Sequence, residues 1–480
     1  FHNFKIDEIR ILDTKNYDFY STISQDITKL SSEKNWNYAL ISMMLEYFQL
    51  HKISYEKKIE NYKYTNYFPI NTKSFFLIDL YKKICKVLKF ISGNQKMIFS
   101  KTYIPLFLEK KIEICLKQIP FIWDFSFSVD KKFEKGKRSI INLHKKKSEN
   151  KKNLESFVRN FIPKCLPLSL VENFDNLVNI SKKFPKNPKF IISSVEFDSN
   201  DLFKIYSAEK IEQGTKIISG QHGNGSFLMP ESKHLPDFRF SDYHYTWGSK
   251  KDKNYLPFCN LNSINKENIK NKYNKLVIYT TSHAFNHTLY DKQELNFQNV
   301  RLIQNLIATL PEKISSELLL KKHNAKHIDS HKYLEKEYEK LKIKKLTNYT
   351  FSQTLEYSKL NLYLYNSTGI LDCLALNKPV IFFLKNPSNL FAQNYNDKLK
   401  ALKEAKIFFE DINELKQHII QVWDNIDSWW KNEAVQTIIK IFNKDFNDSF
   451  SKKKFSNFCS TLNSLKNDSI DKADKIYPLW

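Results

Sequence analysis

Apolar positions along the chain change their rhythm near Pro167. Before it, from residue 36 to about 119, they recur mostly at helical spacing. Tyr38, Ile41, Met44, Leu45 and Phe48 share one helical face, and residues 75–91 repeat the pattern. A helix-rich N-terminal region is expected. Residues 130–152 have few apolar anchors and many lysines, Lys145, Lys146 and Lys147 among them, and are expected to form an exposed loop. After Pro167 short apolar runs end in turn residues and alternate with helical stretches, the rhythm of a parallel sheet. KFIISS at 189–194 reads as a buried strand, 202–214 as a helix and 215–219 as the next strand. A second set begins with KLVIYT at 275–280 and continues through a helix at 300–310. Strands at 318–320, 362–365 (LYLY) and 380–384 (VIFFL) follow, then a helix at 412–423.

The fold class is therefore α/β, with two Rossmann-like halves joined near residues 255–272. Residues 1–255 would form an N-terminal domain, helix-rich over 1–155 and Rossmann-like over 160–255. Residues 270–430 would form a C-terminal Rossmann-like domain, and 431–480 a helical tail closing the second domain or crossing back to the first. A chain of 480 residues suits such a division, since single cores stop growing well below that length.

Composition changes this picture little. Lys, Asn, Ile, Phe and Tyr are over-used and Gly and Pro scarce, as codon bias in an AT-rich genome would produce. The net charge of +24 then reflects lysine spread over all surfaces rather than a nucleic-acid face, and no RNA-binding signature accompanies it. The six cysteines, Cys85, Cys115, Cys165, Cys259, Cys373 and Cys459, lie far apart without metal-ligand spacing, so neither zinc nor a disulfide framework is expected. No apolar run approaches the ~18 residues that span a bilayer, and no signal-peptide pattern precedes the first helix. A cytoplasmic location is expected, with peripheral contact at the inner membrane left open.

Five of the eight glycines fall between Gly214 and Gly248. Gly220-Gln221-His222-Gly223-Asn224-Gly225 follows a strand directly, where open α/β folds bind ligands. Its glycines would allow positive φ and close approach of a ligand, and His222 could act as base, acid or phosphate partner. The alternative is a turn with a structural histidine. The second candidate is Tyr365-Asn366-Ser367-Thr368-Gly369, a buried strand running into a helix whose start offers N–H groups, hydroxyls and a positive dipole end to phosphate. Simple N-capping by Ser367 or Thr368 is its alternative. Weaker phosphate candidates are Thr280, Thr281 and Ser282 after one strand and Lys321 and His323 after another. Glu196, Asp198 and Asp201 follow the KFIISS strand and could supply a catalytic base, although Asp201 could instead cap a helix. Walker A, GxSxG, HExxH and GxGxxG motifs are absent, which favours a transferase.

These segments resemble a transferase family of bacterial surface-carbohydrate biosynthesis, described first from spirochaetes and similar in layout to GT-B glycosyltransferases. The likeness is carried by DLFKIYSAEKIEQG at 201–214, GQHG at 220–223, YTWG at 245–248, YNSTGILDCLALNKP at 365–379, and 407–430 with its WDNIDSWW ending. It implies a GT-B-like arrangement, His222 at a cleft position, and Ser367 and Thr368 as the hydroxyl pair that holds donor phosphate. Relatives using cytidine-linked donors carry a basic residue, one position, then His-Pro; here Lys321-Lys322-His323-Asn324 lacks the proline.

The expected activity is transfer of a sugar or polyol-phosphate unit from a nucleotide-activated donor to a surface polysaccharide or lipid-linked glycan. Ser367, Thr368, Gly369, Thr281, Lys321 and His323 would face the donor phosphates. His222, with Asp198 or Glu196, would serve catalysis, and Gln221, Gly223, Asn224 and Gly225 would line the substrate loop. The scheme needs no metal and no cofactor beyond the nucleotide-linked donor, and no nucleic-acid partner. Two rivals stand beside it: a nucleotide-sugar epimerase of the same architecture, which would act on donor alone, and a non-catalytic carbohydrate- or nucleic-acid-binding protein.

Overall fold

The computed structural model describes residues 8–13, 17–31, 34–48, 52–58, 80–81, 83–85, 95–141, 153–223, 239–248, 254–264, 269, 272–280, 293–321, 336, 339–385 and 396–467. The lysines at 145–147 and most of 75–91 lie outside them.

Thirteen strands occur among these residues, all paired in parallel. The first two, β1 (Glu8–Asp13) and β2 (Lys52–Lys58), form a separate ribbon crossed by the helix Lys34–Phe48. The first large sheet holds β3 (Met97–Phe99), β4 (Phe190–Ser193), β5 (Lys216–Gly220), β6 (Tyr243–Thr246) and β7 (Tyr255–Pro257), in that order. The second holds β8 (Lys275–Tyr279), β9 (Leu318–Lys321), β10 (Lys344–Leu346), β11 (Ser358–Tyr363), β12 (Val380–Phe383) and β13 (Phe408–Phe409). Its spatial order is β10-β9-β8-β11-β12-β13. Renumbered within the sheet this is 3-2-1-4-5-6, the order of dinucleotide-binding Rossmann folds, with its reversal between β8 and β11.

The central strands of the two large sheets form because most of their residues are apolar and covered on both faces, as parallel sheets flanked by helices require. Ile191, Ile217, Ile218, Leu276, Val277, Ile278, Leu360 and Leu362 are all fully buried. One expectation fails here. Residues 36–119 are less uniformly helical than their spacing implies, because β2 and β3 lie among them. Three residues are too few for periodicity to mark β3, which exists through its pairing with β4, Met97 opposite Phe190. A second expectation needs correction at Lys135–Ser139, a short helix within the supposed loop. Its Arg138 is buried and pairs with Glu172 through two 2.7 Å hydrogen bonds, while its remaining amino group donates to the carbonyls of Pro163 and Leu166.

After the second sheet the chain turns back. The helix Glu433–Phe446 packs on the helices Thr368–Ala375 and Asn396–Glu404, and the helix Lys452–Asn467 packs on β7 and the helix Leu106–Cys115 of the first half. Phe458 stacks on Phe258, ring centroids 4.3 Å apart, and meets Tyr245 edge-on. One hydrophobic cluster consequently includes strands of both sheets and the tail helices. Among the described residues no helix is long and apolar enough to cross a membrane.

Candidate functional site

The carboxyl edge of the first sheet is organised by Tyr245, the first residue of YTWG. Its ring is fully buried beside Gly220, so close that a Cβ there would fall 1.9 Å from Cζ. Its hydroxyl donates to the carbonyl of Thr102 and meets Ser194 Oγ, which also bonds that carbonyl. One phenol thereby joins the ends of β3, β4 and β5. Glycine at 220 serves this packing. Neither Gly220 nor Gly223 has positive φ, so the expectation of glycine-permitted dihedrals is corrected to a steric one.

Gln221 then holds the loop. Its N–H donates to the Tyr245 carbonyl at 2.9 Å, its amide oxygen accepts the Trp247 N–H at 2.8 Å, and its amide nitrogen donates to the Gly223 carbonyl at 3.2 Å. His222 projects from this clamp, half-buried. Its Nδ1 is shielded from solvent and has no hydrogen-bond partner among the described residues. The Tyr103 ring lies over it, centroids 6.0 Å apart and planes 24° from parallel. Tyr103 and Lys101 are left-handed non-glycine residues, φ 59° and 41°. That strain is held by the bonds at the Thr102 carbonyl, by the Thr102 hydroxyl donating to Glu109 at 2.5 Å, and by the Ser194 N–H donating to the Lys101 carbonyl at 3.1 Å.

The three carboxylates after β4 separate into different roles. Asp201 is wholly buried, accepting from the Ser24 N–H at 2.9 Å and the Ser169 hydroxyl at 2.5 Å, so it anchors the N-terminal segment. The cap of the following helix is Asn200, not Asp201. Glu196 is buried against Ser100 Oγ (2.9 Å) and Lys101 Nζ (3.1 Å). Asp198 remains at the surface. Loss of hydration raises its carboxyl pKa, and the charges of His222 and Lys204 oppose the rise. His244 on β6, which shares a hydrogen bond with Ser219, is driven down to about 3 by burial, with His222 adding to the effect, so it stays neutral.

In the second sheet Thr280 follows β8 and the Tyr365–Thr368 turn follows β11, so both stand at the strand-order reversal. Ser367 is the N-cap of the helix Thr368–Ala375, its Oγ accepting the Gly369 N–H at 3.2 Å. The capping alternative is thus realised for Ser367. Gly369 is required by contact, since a Cβ would fall 2.2 Å from the Tyr363 hydroxyl. Lys321 ends β9 with its ammonium on the Tyr349 carbonyl at 2.6 Å, and burial lowers its pKa. Reaching a phosphate would require leaving that bond. Thr281, Ser282, His323, Asn224 and Gly225 lie outside the described residues.

The two candidate loops meet. A Cβ on Gly223 would stand 3.0 Å from Thr368 Oγ1. A buried polar network behind them holds this register: Asn260 donates to Asp372 Oδ1 (2.9 Å) and Asn447 Oδ1 (2.7 Å), Asn262 reaches Asp372, and Asn447 donates to the Leu371 carbonyl at 2.5 Å. Asp372 belongs to the helix that Ser367 caps, while Asn260 follows β7 and Asn447 ends a tail helix. Sequence reasoning missed this network, because its members are 187 residues apart at the widest. It also missed a cleft of about 650 Å³ lined by Lys101, Tyr103, Glu109, Trp123, Glu196 and Asn200 among others, which adjoins His222 through the Tyr103 ring. The available signal was an apolar run, MIF, ending in Ser100-Lys101-Thr102-Tyr103 before a proline.

Comparison with known proteins places the chain by family rather than by near relatives. No curated protein sequence matches it. Solved structures align loosely. The glycotransferase of kitacinnamycin shares 11% identity over 61% of this chain and 79% of its own, TM-score 0.33. WaaG, a glycosyltransferase involved in lipopolysaccharide biosynthesis, shares 9% over 62% and 96%, TM-score 0.33. The N-terminal domain of Candida albicans trehalose-6-phosphate phosphatase shares 10% over 79% and 94%, TM-score 0.35. Likeness at this level transfers no residue role and no substrate. A family model matching residues 2–454 is decisive instead: the chain belongs to the LIC12162 family of transferases.

Proposed function

We propose that this transferase moves a glycosyl or polyol-phosphate unit from a nucleotide-activated donor to a hydroxyl of a surface polysaccharide or lipid-linked glycan. The observation that carries the reading is the meeting of two carboxyl-terminal sheet edges, with the Gly223 backbone against Thr368 at the reversal point of a 3-2-1-4-5-6 sheet. That reversal point is where such sheets take nucleotides. The donor phosphates would lie at the start of the helix Thr368–Ala375, near Thr368, Gly369 and Thr280, where the helix dipole favours negative charge. Thr281 and His323 keep the roles the sequence proposes for them, and Lys321 would join only after leaving Tyr349.

The acceptor would enter through the cleft under Tyr103. Its hydroxyl proton passes to His222 while the acceptor oxygen bonds to the transferred unit, and the bond to the donor phosphate oxygen breaks with its electron pair leaving on the nucleotide. Asp198 would balance the charge formed on the imidazole. Glu196 is less suited, being already engaged by Ser100 and Lys101.

Thermal-shift titration with CMP, CDP, UDP, GDP and TDP tests the donor half. At a hundredfold excess over Kd a bound nucleotide adds about 2.7 kcal/mol of stability, and the shift should shrink in the Ser367→Ala, Thr368→Ala double variant. An equal shift in that variant would move the donor elsewhere; silence from all five nucleotides would remove the nucleotide reading. His222→Ala should retain the nucleotide shift and lose transfer.

A further inference from the structure

The helix Leu106–Cys115 and its two flanks segregate charge by burial. Residues 101–119 contain two carboxylates, Glu109 and Glu113, and both are buried. Glu109 accepts from Thr102 and pairs with Lys110, while Glu113 accepts from Lys110 at 2.5 Å and from the Phe121 N–H at 2.6 Å. The exposed charges of the same stretch are all lysines: Lys101, Lys111 and Lys117. Between them stand large apolar side chains in water, Phe107 72% exposed, Ile114 60%, Tyr103 55% and Ile119 53%. Phe107, Lys111 and Ile114 are spaced i, i+4, i+7, so they form one stripe along the helix. The Lys111 ammonium lies 4.4 Å over the Phe107 ring.

More positive charge gathers where the helix ends. Lys466 donates to the Leu116 carbonyl and Lys189 donates to the Lys466 carbonyl at 2.8 Å. Burial first, then Lys117 and Lys189, lower the pKa of Lys466, so these three ammonium groups feel one another. Scattered lysine explains a basic surface, but it does not explain why apolar side chains this large remain uncovered on the same stripe. Apolar groups interleaved with lysine, and no exposed carboxylate, are the chemistry of a face that lies in the headgroup layer of an anionic bilayer. There rings and aliphatic groups enter the acyl boundary and ammonium groups meet phosphate. A protein partner of matching shape would satisfy the apolar groups, yet would leave the exclusion of acidic residues without a reason.

We infer that the outer face of Leu106–Cys115, with Tyr103, Phe107, Lys111, Ile114, Lys117 and Ile119, docks the protein peripherally on an anionic lipid surface. Tyr103 and Lys101 also line the cleft that Glu196 and Asn200 share, so docking would bring that side of the cleft towards the bilayer. The inference does not depend on the transfer chemistry, and its test uses no nucleotide.

The test is co-sedimentation of the full chain with vesicles of phosphatidylcholine alone and of phosphatidylcholine with a third phosphatidylglycerol, together with light scattering of the protein without lipid. Binding is expected to the anionic vesicles only and to weaken as salt rises. Phe107→Ser with Ile114→Ser should weaken it about tenfold or more, and Lys111→Glu should weaken it further. Ile441→Ser, at an exposed position on a different helix, Glu433–Phe446, serves as the control and should bind as the parent does. Failure to bind anionic vesicles would overturn the inference. So would binding indifferent to Phe107→Ser with Ile114→Ser, which would mean that lysine anywhere suffices. A dimer that the same double substitution makes monomeric, without vesicle binding, would make this face a contact between copies of the chain.

Discussion

Gly220→Ala is the sharpest perturbation the first sheet allows. The added Cβ would fall 1.9 Å from Tyr245 Cζ and 2.1 Å from its hydroxyl oxygen, far inside contact distance, and it belongs to backbone fixed by β5 pairing on both sides. The ring must therefore move. Overpacking of a dense core costs about 1–3 kcal/mol, and displacing the Tyr245 hydroxyl from the Thr102 carbonyl and Ser194 leaves buried polar groups unpaired for about 1–3 kcal/mol more. A total near 2–6 kcal/mol is expected. Tyr245→Ala alone should cost about 3–5 kcal/mol through the cavity it leaves. In the double variant the alanine methyl occupies part of that cavity, so adding Gly220→Ala should then cost nothing or recover some stability. Denaturant unfolding of the parent, both single variants and the double variant gives the coupling energy, expected to be at least 2 kcal/mol in favour of the double variant. Additive costs, or a Gly220→Ala cost below about 0.5 kcal/mol, would refute the assignment of Gly220 to ring packing and restore a ligand-approach role for it.

Two further predictions concern buried charge. Glu172→Gln removes the partner of Arg138, whose guanidinium cannot discharge and is held by four hydrogen bonds, so a loss of about 3–5 kcal/mol is expected in urea unfolding; a loss under 1 kcal/mol would mean that the Pro163 and Leu166 carbonyls suffice. His418 is driven down to about 4, by burial first and then by Lys406, so the unfolded chain takes up a proton below pH 6.5 that the native state refuses. Its contribution is lost as pH falls from 6.5 towards 4. Between pH 7.5 and 5 the stability of His418→Phe relative to the parent should rise by about 2 kcal/mol, and a pH-independent difference would show the imidazole taking up its proton as readily in the fold as in the unfolded chain. His244, at about 3, adds a loss of the same sign, whereas Glu113, raised to about 7 by burial, gains stability over the same interval.

Which parts of this structure can be read in the sequence depends on how far apart the deciding residues lie. β4, β8 and β12 were readable because burial on both faces turns them into unbroken apolar runs, FIIS, KLVIY and VIFF, bounded by polar turns. β3 was not, because its three residues become a strand only beside β4. The 3-2-1-4-5-6 order is a matter of pairing over long separations, and no local pattern encodes it. The glycine-rich turn could be found by composition, yet the reason for Gly220 is a ring 25 positions later, and the reason for Gly223 is a hydroxyl near position 368.

The carboxylates make the same point within a single segment. Glu196, Asp198 and Asp201 are indistinguishable by type and spacing, and each is assigned by a neighbour from elsewhere: Ser100 and Lys101 for Glu196, Ser24 and Ser169 for Asp201, His222 for Asp198. Of the three, Asp198 alone combines a surface position, an upward pull on its pKa and the charge of His222 nearby. The two commoner duties, pairing a lysine from a buried position and anchoring a neighbouring segment, are already taken by the other two. A carboxylate that loses hydration without gaining a structural hydrogen bond costs stability, and such groups concentrate at functional sites. If that cost serves the imidazole, Asp198→Asn should leave or raise stability while lowering transfer together with His222→Ala in a non-additive way. Independent, multiplicative losses would separate the two residues and remove Asp198 as the charge partner of His222.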